Sequence, residues 1–440
     1  MFTLLLVTIN HLHNFFLTIC LFINHQAFNL FFGKNMNNQT FASQGSILGA
    51  ILLVAGCCIG AGMLGLPVLS AQAGFKPSVI MFIICWIFML STGLLLLEAN
   101  LWFKEDINVV SLADRTLGKM GKAVGWIVFL FLFYSLMVAY VTGSGALFAD
   151  FFDLFFAIHL PRWVGGLVMS ALFGLMIYNG TGTVDKFNRL LMIGLILTYL
   201  LIVFMGSSHV DQKLLKHCDW SAAFFIIPAI IVSFGFHNLV PSLTQYLGRD
   251  SRRLCIALAI GSFIPLIIYL AWQRLILGIV PLEGRDSLRV ACNEGQMATQ
   301  ALKLVIGASW VGDIAQFFAF FAIVTSFLGV ALSFVDFLAD GFKIPKKRGG
   351  KITLCSLALL PPYLFSLIHP GVFLTALNYA GGFGAVIIFG ILPALMVWSG
   401  RYHKNFKGPQ FIAGGKPMLL LIILSSVSII ILQLYQTITS

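Results

Sequence analysis

The sequence predicts an all-α integral membrane protein with eleven membrane-spanning helices. Three observations support this class: the composition, the lengths of the apolar runs, and a matched pair of interrupted runs. Of the 440 residues, 59% are hydrophobic and only 10% are charged, whereas soluble domains carry about 25% charged residues. Because so few polar side chains cannot cover a water-soluble particle, the composition excludes a soluble globular domain.

The apolar runs define the helices in chain order. About 20 consecutive apolar residues are needed to cross a bilayer as a helix, and eleven such runs are bounded by charged or turn residues. Spans 1 to 11 are predicted at 46–73, 77–102, 123–149, 162–180, 184–206, 221–247, 254–279, 312–342, 352–368, 371–400 and 417–437. No polar stretch reaches the roughly 50 residues of a small additional domain.

The basic residues predict the orientation. If the residues before span 1 are cytoplasmic, 19 of the 27 Lys and Arg lie on the cytoplasmic side and 8 lie outside. Cytoplasmic loops of membrane proteins carry such an excess of Lys and Arg. The same rule accounts for the net charge of +11, so no nucleic-acid partner is predicted.

The first 35 residues do not fit this pattern. They are apolar, but Asn, His and Gln interrupt every run before it reaches spanning length, and no Lys or Arg precedes Lys34. A signal peptide would begin with a positive charge. The segment is either an extra helix or untranslated sequence before a start at Met36, and the second interpretation is favoured.

Spans 1 and 6 are interrupted at mid-membrane depth. Span 1 has four glycines between Gly56 and Gly65 and then Pro67, and each glycine costs a helix about 1 kcal/mol. Residues that break or polarise a helix also concentrate in span 6: Ser233, Gly235, His237, Asn238 and Pro241. Paired interruptions in matching spans of two halves point to a transporter binding site. The alternatives are close packing at the glycines and a simple proline kink.

The spacing of these two spans predicts an internal repeat. Spans 1 and 6 each begin a unit of five spans, so the second unit enters the membrane from the opposite side and the repeat is inverted. The string Gly60–Gly65 matches GxGxxG, but no strand precedes it and no acidic residue follows at the required distance. No cofactor and no metal site are therefore predicted.

Four blocks of residues resemble the hydroxy/aromatic amino acid permeases of the amino acid/polyamine/organocation superfamily. They are GCCIGAGMLGLP in span 1, GTGTVDKFNRLLM at span 5, SFGFHNLVPSL in span 6 and TSFLGVALSFVDFLADG in span 8. The resemblance covers about residues 40–437. It implies a proton symporter for tyrosine or tryptophan in the bacterial inner membrane, with a LeuT-like fold of two inverted five-helix repeats and one further helix.

This organisation divides the chain into four parts. Residues 1–45 are the N-terminal extension and cytoplasmic tail, 46–206 and 207–400 are the two repeats, and 401–440 are a loop and the eleventh helix. Within the family, the sequence is most similar to tyrosine-specific permeases, although sequence alone does not separate tyrosine from tryptophan.

An amino acid brings a carboxylate, an ammonium group and a side chain, and each needs a partner in the site. Helix N–H groups near Gly60, Ala61 and Gly62 suit the carboxylate, carbonyls at Ala55, Cys57 and Ser233 suit the ammonium group, and an aromatic side chain suits nearby rings. Tyr134 or Tyr140 in span 3 could donate to the carboxylate or simply join two helices. The predicted substrate-binding residues are Gly60, Ala61, Gly62, Ser233, Phe234, Gly235, Phe236 and Tyr134.

Ionisable residues inside a span are costly and are therefore candidates for function. His237 lies at the span 6 break and titrates near neutral pH, so it is the first candidate for proton coupling, with Glu98 as the second. Close to the interface, Glu98, Asp336 and Asp340 could instead pair with Lys or Arg. By resemblance, Thr325 and Ser326 match a pair that ligates sodium in relatives of this fold; in a proton-coupled member they could instead only satisfy backbone carbonyls.

Other function classes are less well supported by the residues. A membrane enzyme would need clustered Asp, Glu, His or Cys, and a channel would show symmetry-related pore loops. A sodium-coupled transporter, or a serine, threonine or branched-chain amino acid permease of the same fold, remains the alternative. Cys218 and Cys292, both in loops predicted to be outside, could form a disulfide or remain free thiols.

Overall fold

The computed structural model of the chain describes residues 45–105, 107–156, 159–179, 181–306 and 310–439. Met36 and the rest of the predicted N-terminal extension lie outside these ranges. Within them, every regular element is helical, which confirms the all-α prediction. Seven spans have single helices: Phe75–Leu101 (span 2), Arg162–Asn179 (span 4), Thr181–Gly206 (span 5), Ser251–Ile279 (span 7), Trp310–Phe342 (span 8), Arg348–Ile368 (span 9) and Gly415–Thr439 (span 11). Span 3 lies in Val109–Phe156, where non-helical backbone at Gly118 (φ 76°) separates a short first helix from the span itself.

Spans 1, 6 and 10 are composite. Span 1 consists of Ile47–Cys58 and Gly62–Ser70, bent by 53° at the break. Span 6 consists of Ile227–Ser233 and Val240–Tyr246, with a 3₁₀ turn at His237–Leu239 between them. Span 10 runs from Phe373–Tyr379 through a π-helical stretch, Ala380–Ile391, to Leu392–Tyr402.

Nine helices of the described ranges are long and apolar enough to cross a membrane, and the bent pair of span 1 brings the number to ten. Arg162–Asn179, the predicted span 4, is not among them, although its 18 residues extend for about 27 Å as a helix. The count of eleven and the inverted repeat therefore stay predictions.

The local sequence explains where the broken spans begin and end. The Ser46 side chain accepts a hydrogen bond from the Gly49 N–H and caps the first half of span 1. Pro228 and Pro241 each occupy the first turn of a half of span 6, where a proline does not cost a backbone hydrogen bond. The prolines therefore start two helices, and the alternative of one continuous kinked helix is wrong.

Spans 6 and 10 lie in the interior of the bundle. Of the most apolar stretch of span 10, 78% is buried, against 22% for spans 5, 9 and 11. Gly381 of span 10 lies directly on the Pro228 carbonyl, since a Cβ there would come within 1.8 Å of that oxygen. Spans 5, 9 and 11 thus lie at the periphery, and span 10 lies in the interior, packed against span 6.

The two loop cysteines are not bridged. Cys218 is exposed, Cys292 is half-buried, and both are free thiols. Burial raises the pKa of the Cys292 thiol, so its reactive thiolate form is disfavoured.

Candidate functional site

The break of span 1 comprises Ile59, Gly60 and Ala61. The Ala61 N–H donates to the Ser326 hydroxyl of span 8 at 2.9 Å. Gly60 lies against the same hydroxyl, because a Cβ at Gly60 would be 2.2 Å from Ser326 Oγ. The Ala61 N–H predicted to be free for a substrate carboxylate therefore has a protein partner.

The breaks of spans 1 and 6 touch each other at Gly62. A Cβ at Gly62 would lie 2.7 Å from Ser233 Oγ, and the Cys57 thiol donates to the Gly235 carbonyl at 3.6 Å. Ser233 itself donates to the Ala229 carbonyl at 2.8 Å. The predicted residues Gly60, Gly62, Ser233 and Gly235 are thus brought together, and the glycines serve close packing at the point where the helices are interrupted.

The carbonyl groups differ from the predicted set. The Ala55 carbonyl is not free, because it accepts the Ile59 N–H at 2.9 Å. The carbonyls of Cys58 and Ser233 both face the hydroxyl of Tyr269 in span 7, at 2.6 and 2.8 Å. The sequence analysis did not single out Tyr269. In the sequence, a tyrosine that joins two helices cannot be distinguished from one that serves a binding site.

The two phenylalanines of the span 6 break are fully buried. Phe234 packs edge-on against Tyr269, with ring centroids 5.1 Å apart. Phe236 covers Gly93 of span 2, where a Cβ would be 2.7 Å from the ring. In this conformation both rings contact protein, so a substrate ring would reach them only after a rearrangement.

His237 follows directly and is enclosed by aromatic rings. Its imidazole is stacked between Phe236, at 4.8 Å, and Phe389 of span 10, at 4.6 Å. Its Nε2 lies 2.9 Å from the Thr92 hydroxyl, and its Nδ1 has no hydrogen-bond partner among the described residues. A fully buried ring nitrogen without a partner is unusual, because burying a polar group unpaired costs free energy.

The carboxylate of Glu98, the other candidate for proton coupling, is paired with a cation and with a backbone N–H group. The Arg401 guanidinium of span 10 binds both carboxylate oxygens at 2.6 Å, and the Phe411 N–H donates to the same carboxylate at 3.3 Å. The side chains of Glu98 and Arg401 are 0% and 5% exposed. The pairing interpretation of Glu98 is confirmed, as is that of Asp336, which contacts Lys346 at 2.7 Å.

The remaining candidates make contacts within the protein. Thr325 donates to the Phe321 carbonyl of its own helix at 2.8 Å, and Ser326 accepts from span 1 as described above. Tyr134 donates to the Leu357 carbonyl of span 9 at 2.9 Å, so the structure does not bring it to the breaks. Tyr140 is buried in span 3.

A large cavity leads from one end of the bundle to the span 6 break. Its volume is about 1220 Å³. It reaches Asn238 and Pro241, its aromatic wall includes Trp126 and Phe337, and charged residues line its mouth. A second cavity of about 200 Å³ lies between spans 3 and 4, the loop at Glu294, and Phe373. No group of three His, Cys, Asp or Glu that could hold a metal occurs in the described ranges.

Comparison with a solved structure supports the fold. The crystal structure of MhsT in complex with L-phenylalanine superimposes with a TM-score of 0.61 over 90% of this chain and 99% of MhsT, at 16% identity. The agreement over nearly the whole of both chains shows a shared fold.

Comparison with known sequences assigns the family. A tryptophan-specific transport protein of Pseudomonas aeruginosa is 30% identical over 400 residues, 89% of this chain and 94% of the relative. The tyrosine-specific transport system 2 of Haemophilus influenzae is 31% identical over 90% of this chain and 96% of its own length. The low affinity tryptophan permease of Escherichia coli K12 is 32% identical over 87% and 93%. The sequence model of the tryptophan/tyrosine permease family matches residues 43–433. The chain therefore belongs to the tryptophan/tyrosine permease family and is a multi-pass membrane transporter, not an enzyme.

Proposed function

We propose that this transporter imports an aromatic amino acid, tyrosine or tryptophan or both, across the bacterial inner membrane by proton symport. The observation that carries the proposal is the contact between the two breaks, where Gly62 meets Ser233, in a chain whose relatives are named for tryptophan and tyrosine. The proposal includes the cytoplasmic N-terminus, the eleven spans and the repeats at 46–206 and 207–400.

The substrate is proposed to bind where spans 1 and 6 cross. Carbonyl groups and helix N–H groups at a break can match an ammonium and a carboxylate without any charged side chain. Cys57 is exposed although it lies mid-span and contacts Gly235, which supports an accessible space between the breaks. A moderate movement of Phe234 or Phe236 would place its ring beside this space, where it could contact the aromatic side chain of the substrate.

The large cavity is proposed as the route of release. It opens at the end of the bundle that carries Lys119, Lys122 and Lys343, which the distribution of basic residues assigns to the cytoplasm. It reaches Asn238, next to His237 in the span 6 break. This arrangement supports a conformation open to the cytoplasm.

Proton coupling is proposed to use His237. Of the two candidates, Glu98 already has a cation bound to both carboxylate oxygens, whereas His237 has an unpartnered nitrogen beside the break. The sodium alternative stays open at Thr325, because donation of its hydroxyl hydrogen within its own helix leaves the oxygen lone pairs for an ion.

The test is uptake of labelled tyrosine and tryptophan into cells that lack their own aromatic permeases, with each of the twenty amino acids as competitor. We expect saturable uptake that aromatic amino acids inhibit, that a protonophore abolishes, and that persists without sodium. Inhibition by serine, threonine or branched-chain amino acids alone would contradict the substrate assignment. Cells carrying the empty vector give the background.

A further inference from the structure

Span 7 presents three polar side chains to the broken helices from one face. Tyr269 lies against the carbonyls of Cys58 and Ser233. Trp272, three residues later, donates its indole N–H to the Met63 carbonyl at 3.1 Å. Gln273, four residues after Tyr269, donates to the Ser70 hydroxyl. Residues three and four apart share one helix face, so a single face of span 7 contacts both halves of span 1 and the first half of span 6.

The positions of these carbonyls explain why they need donors. Cys58 and Ser233 are the last residues of the first halves of spans 1 and 6, and a helix end leaves its final carbonyls without intrahelical partners. In a membrane interior an unsatisfied backbone group is costly. Tyr269 is 1% exposed, so water does not take its place.

The two carbonyls share one donor. A tyrosine hydroxyl carries a single hydrogen, yet two carbonyl oxygens lie within 2.8 Å of it. Two partially negative oxygens therefore converge while only one hydrogen is available between them. Such a pair of carbonyls attracts a further donor or a cation, and the ammonium group of an amino acid is both.

We infer that Tyr269 is the positioning residue for the ammonium group of the substrate, acting through the carbonyls of Cys58 and Ser233. Trp272 supports it by fixing the second half of span 1. The inference rests on the proposed function, because it assumes that an amino acid binds at the crossing. Neither side chain touches the substrate: Tyr269 fixes the two carbonyls that bind the ammonium group, and Trp272 fixes the half-helix beside them.

The variant Tyr269→Phe isolates the hydroxyl. Its ring packs against Phe234 and Phe82, with centroids 5.1 and 6.0 Å away, and phenylalanine keeps this packing. Two tyrosines provide matched controls, since Tyr199 and Tyr134 each donate to one interhelical carbonyl at 2.9 Å, those of Ile268 and Leu357. Tyr199→Phe and Tyr134→Phe therefore remove a similar bond that involves no carbonyl of either break.

A second pair of variants covers the case in which Tyr269→Phe does not insert into the membrane. Trp272→Phe removes the N–H that binds the Met63 carbonyl. Its control is Trp86→Phe, which removes a similar N–H bond to Ser262 at 3.1 Å. The outcomes given below for Tyr269→Phe and its controls apply to Trp272→Phe and Trp86→Phe as well.

The experiment measures KM and maximal rate of uptake in proteoliposomes containing equal amounts of each full-length variant. Competition is measured with two analogues of the transported amino acid, one lacking the amino group and one lacking the carboxylate. We expect Tyr269→Phe to raise KM about ten-fold, which corresponds to 1.4 kcal/mol, with a smaller change in maximal rate. We also expect it to lose most of the discrimination against the analogue without an amino group, while discrimination against the other analogue is kept.

Three results overturn the inference, and they are distinguishable. If the wild-type protein transports the aromatic amino acid but Tyr269→Phe behaves as Tyr199→Phe does, with equal KM and equal discrimination, the positioning role is wrong. If discrimination against both analogues falls equally, Tyr269 has only a structural role and the inference is also wrong. If the wild-type protein shows no saturable uptake of any aromatic amino acid, the proposed function fails, and the inference fails with it.

Discussion

The two breaks are built from different residues. The break of span 1 is three residues long, has no ionisable side chain, and is packed against Ser326 of span 8. The break of span 6 extends from Phe234 through the turn at His237–Leu239 and places an imidazole between two aromatic rings. Their carbonyl ends nevertheless meet at the same hydroxyl of Tyr269.

This difference suggests that the two breaks have different roles in one site, one in binding and one in coupling. The glycines of span 1 allow close approach, so that break sets the shape of the crossing. The histidine of span 6 lies next to the crossing, and the proposed proton coupling is assigned to it. Substitutions in span 1 should therefore remove binding, and substitution of His237 should remove coupling while binding remains.

The largest expected effect is on the shape of the crossing. We expect Gly60→Val and Gly62→Val to abolish uptake, because their Cβ atoms would lie 2.2 Å from Ser326 Oγ and 2.7 Å from Ser233 Oγ. Gly56→Ala is the matched control in span 1, since its Cβ would meet only the Met192 side chain at 3.5 Å. Uptake is measured in cells with equal amounts of each variant in the membrane. Normal uptake by both valine variants would contradict the assignment of the site to this break.

The second effect is on coupling. We expect His237→Gln to bind substrate and to exchange labelled for unlabelled substrate, but to lose accumulation driven by a proton gradient. One charge moving through 100 mV supplies about 2.3 kcal/mol, or roughly fifty-fold accumulation, and this factor is what the variant should lose. The measurement compares exchange with gradient-driven uptake in proteoliposomes.

Two controls keep this prediction specific to the imidazole. His403→Gln changes a histidine on an exposed turn and should behave as the wild type. Thr92→Val removes the hydroxyl next to Nε2 but keeps the imidazole, so we expect accumulation to fall less than in His237→Gln. Full accumulation by His237→Gln would assign coupling to another residue. The two breaks would then no longer differ in their proposed roles.

The sequence predicted the fold well because the bilayer restricts it strongly. Only a helix satisfies its own backbone groups in lipid, so apolar length and bounding charges were enough to place the helices. Span 4 shows the limit of this argument, because glycines and polar residues lower its apolar character although the helix forms. Span 10 shows another limit, since nothing in its sequence distinguished its π-helical stretch from an ordinary helix.

The site was predicted only in part. Clusters of Gly, Pro and polar residues located the breaks, because these residues destabilise a helix wherever they occur. Partners could not be predicted, because they depend on which faces of distant spans meet. Ser326 was a candidate sodium ligand by resemblance only, and its hydroxyl accepts the Ala61 N–H. Tyr134 donates to span 9, and the hydroxyl of Tyr269 lies against carbonyls of both breaks.

A third prediction tests whether Glu98 carries the proton instead. We expect Glu98→Gln to lower thermal stability, because breaking a buried ion pair costs about 3–5 kcal/mol and Arg401 would remain buried without its carboxylate. The double variant Glu98→Leu/Arg401→Met should recover stability and accumulate substrate as the wild type does. Melting temperature in detergent and accumulation per folded transporter are measured. A stable double variant that exchanges but does not accumulate substrate would make Glu98 the coupling residue.

The smallest effects are expected at the hydroxyls of span 8. Thr325→Val should change uptake little, because the lost hydrogen bond lies within its own helix. Ser326→Ala removes the partner of the Ala61 N–H, and a typical net hydrogen bond of about 0.5–1.5 kcal/mol predicts a change in KM of roughly two- to ten-fold. Neither variant should alter the response to sodium, since coupling is assigned to the imidazole of span 6.

Proteoliposomes with an imposed pH gradient, with and without sodium, provide the measurement. If removing sodium stops transport while the pH gradient alone drives none, the proton assignment is wrong. Thr325 and Ser326 then become the coupling site, and the break of span 1 takes over the role proposed for span 6.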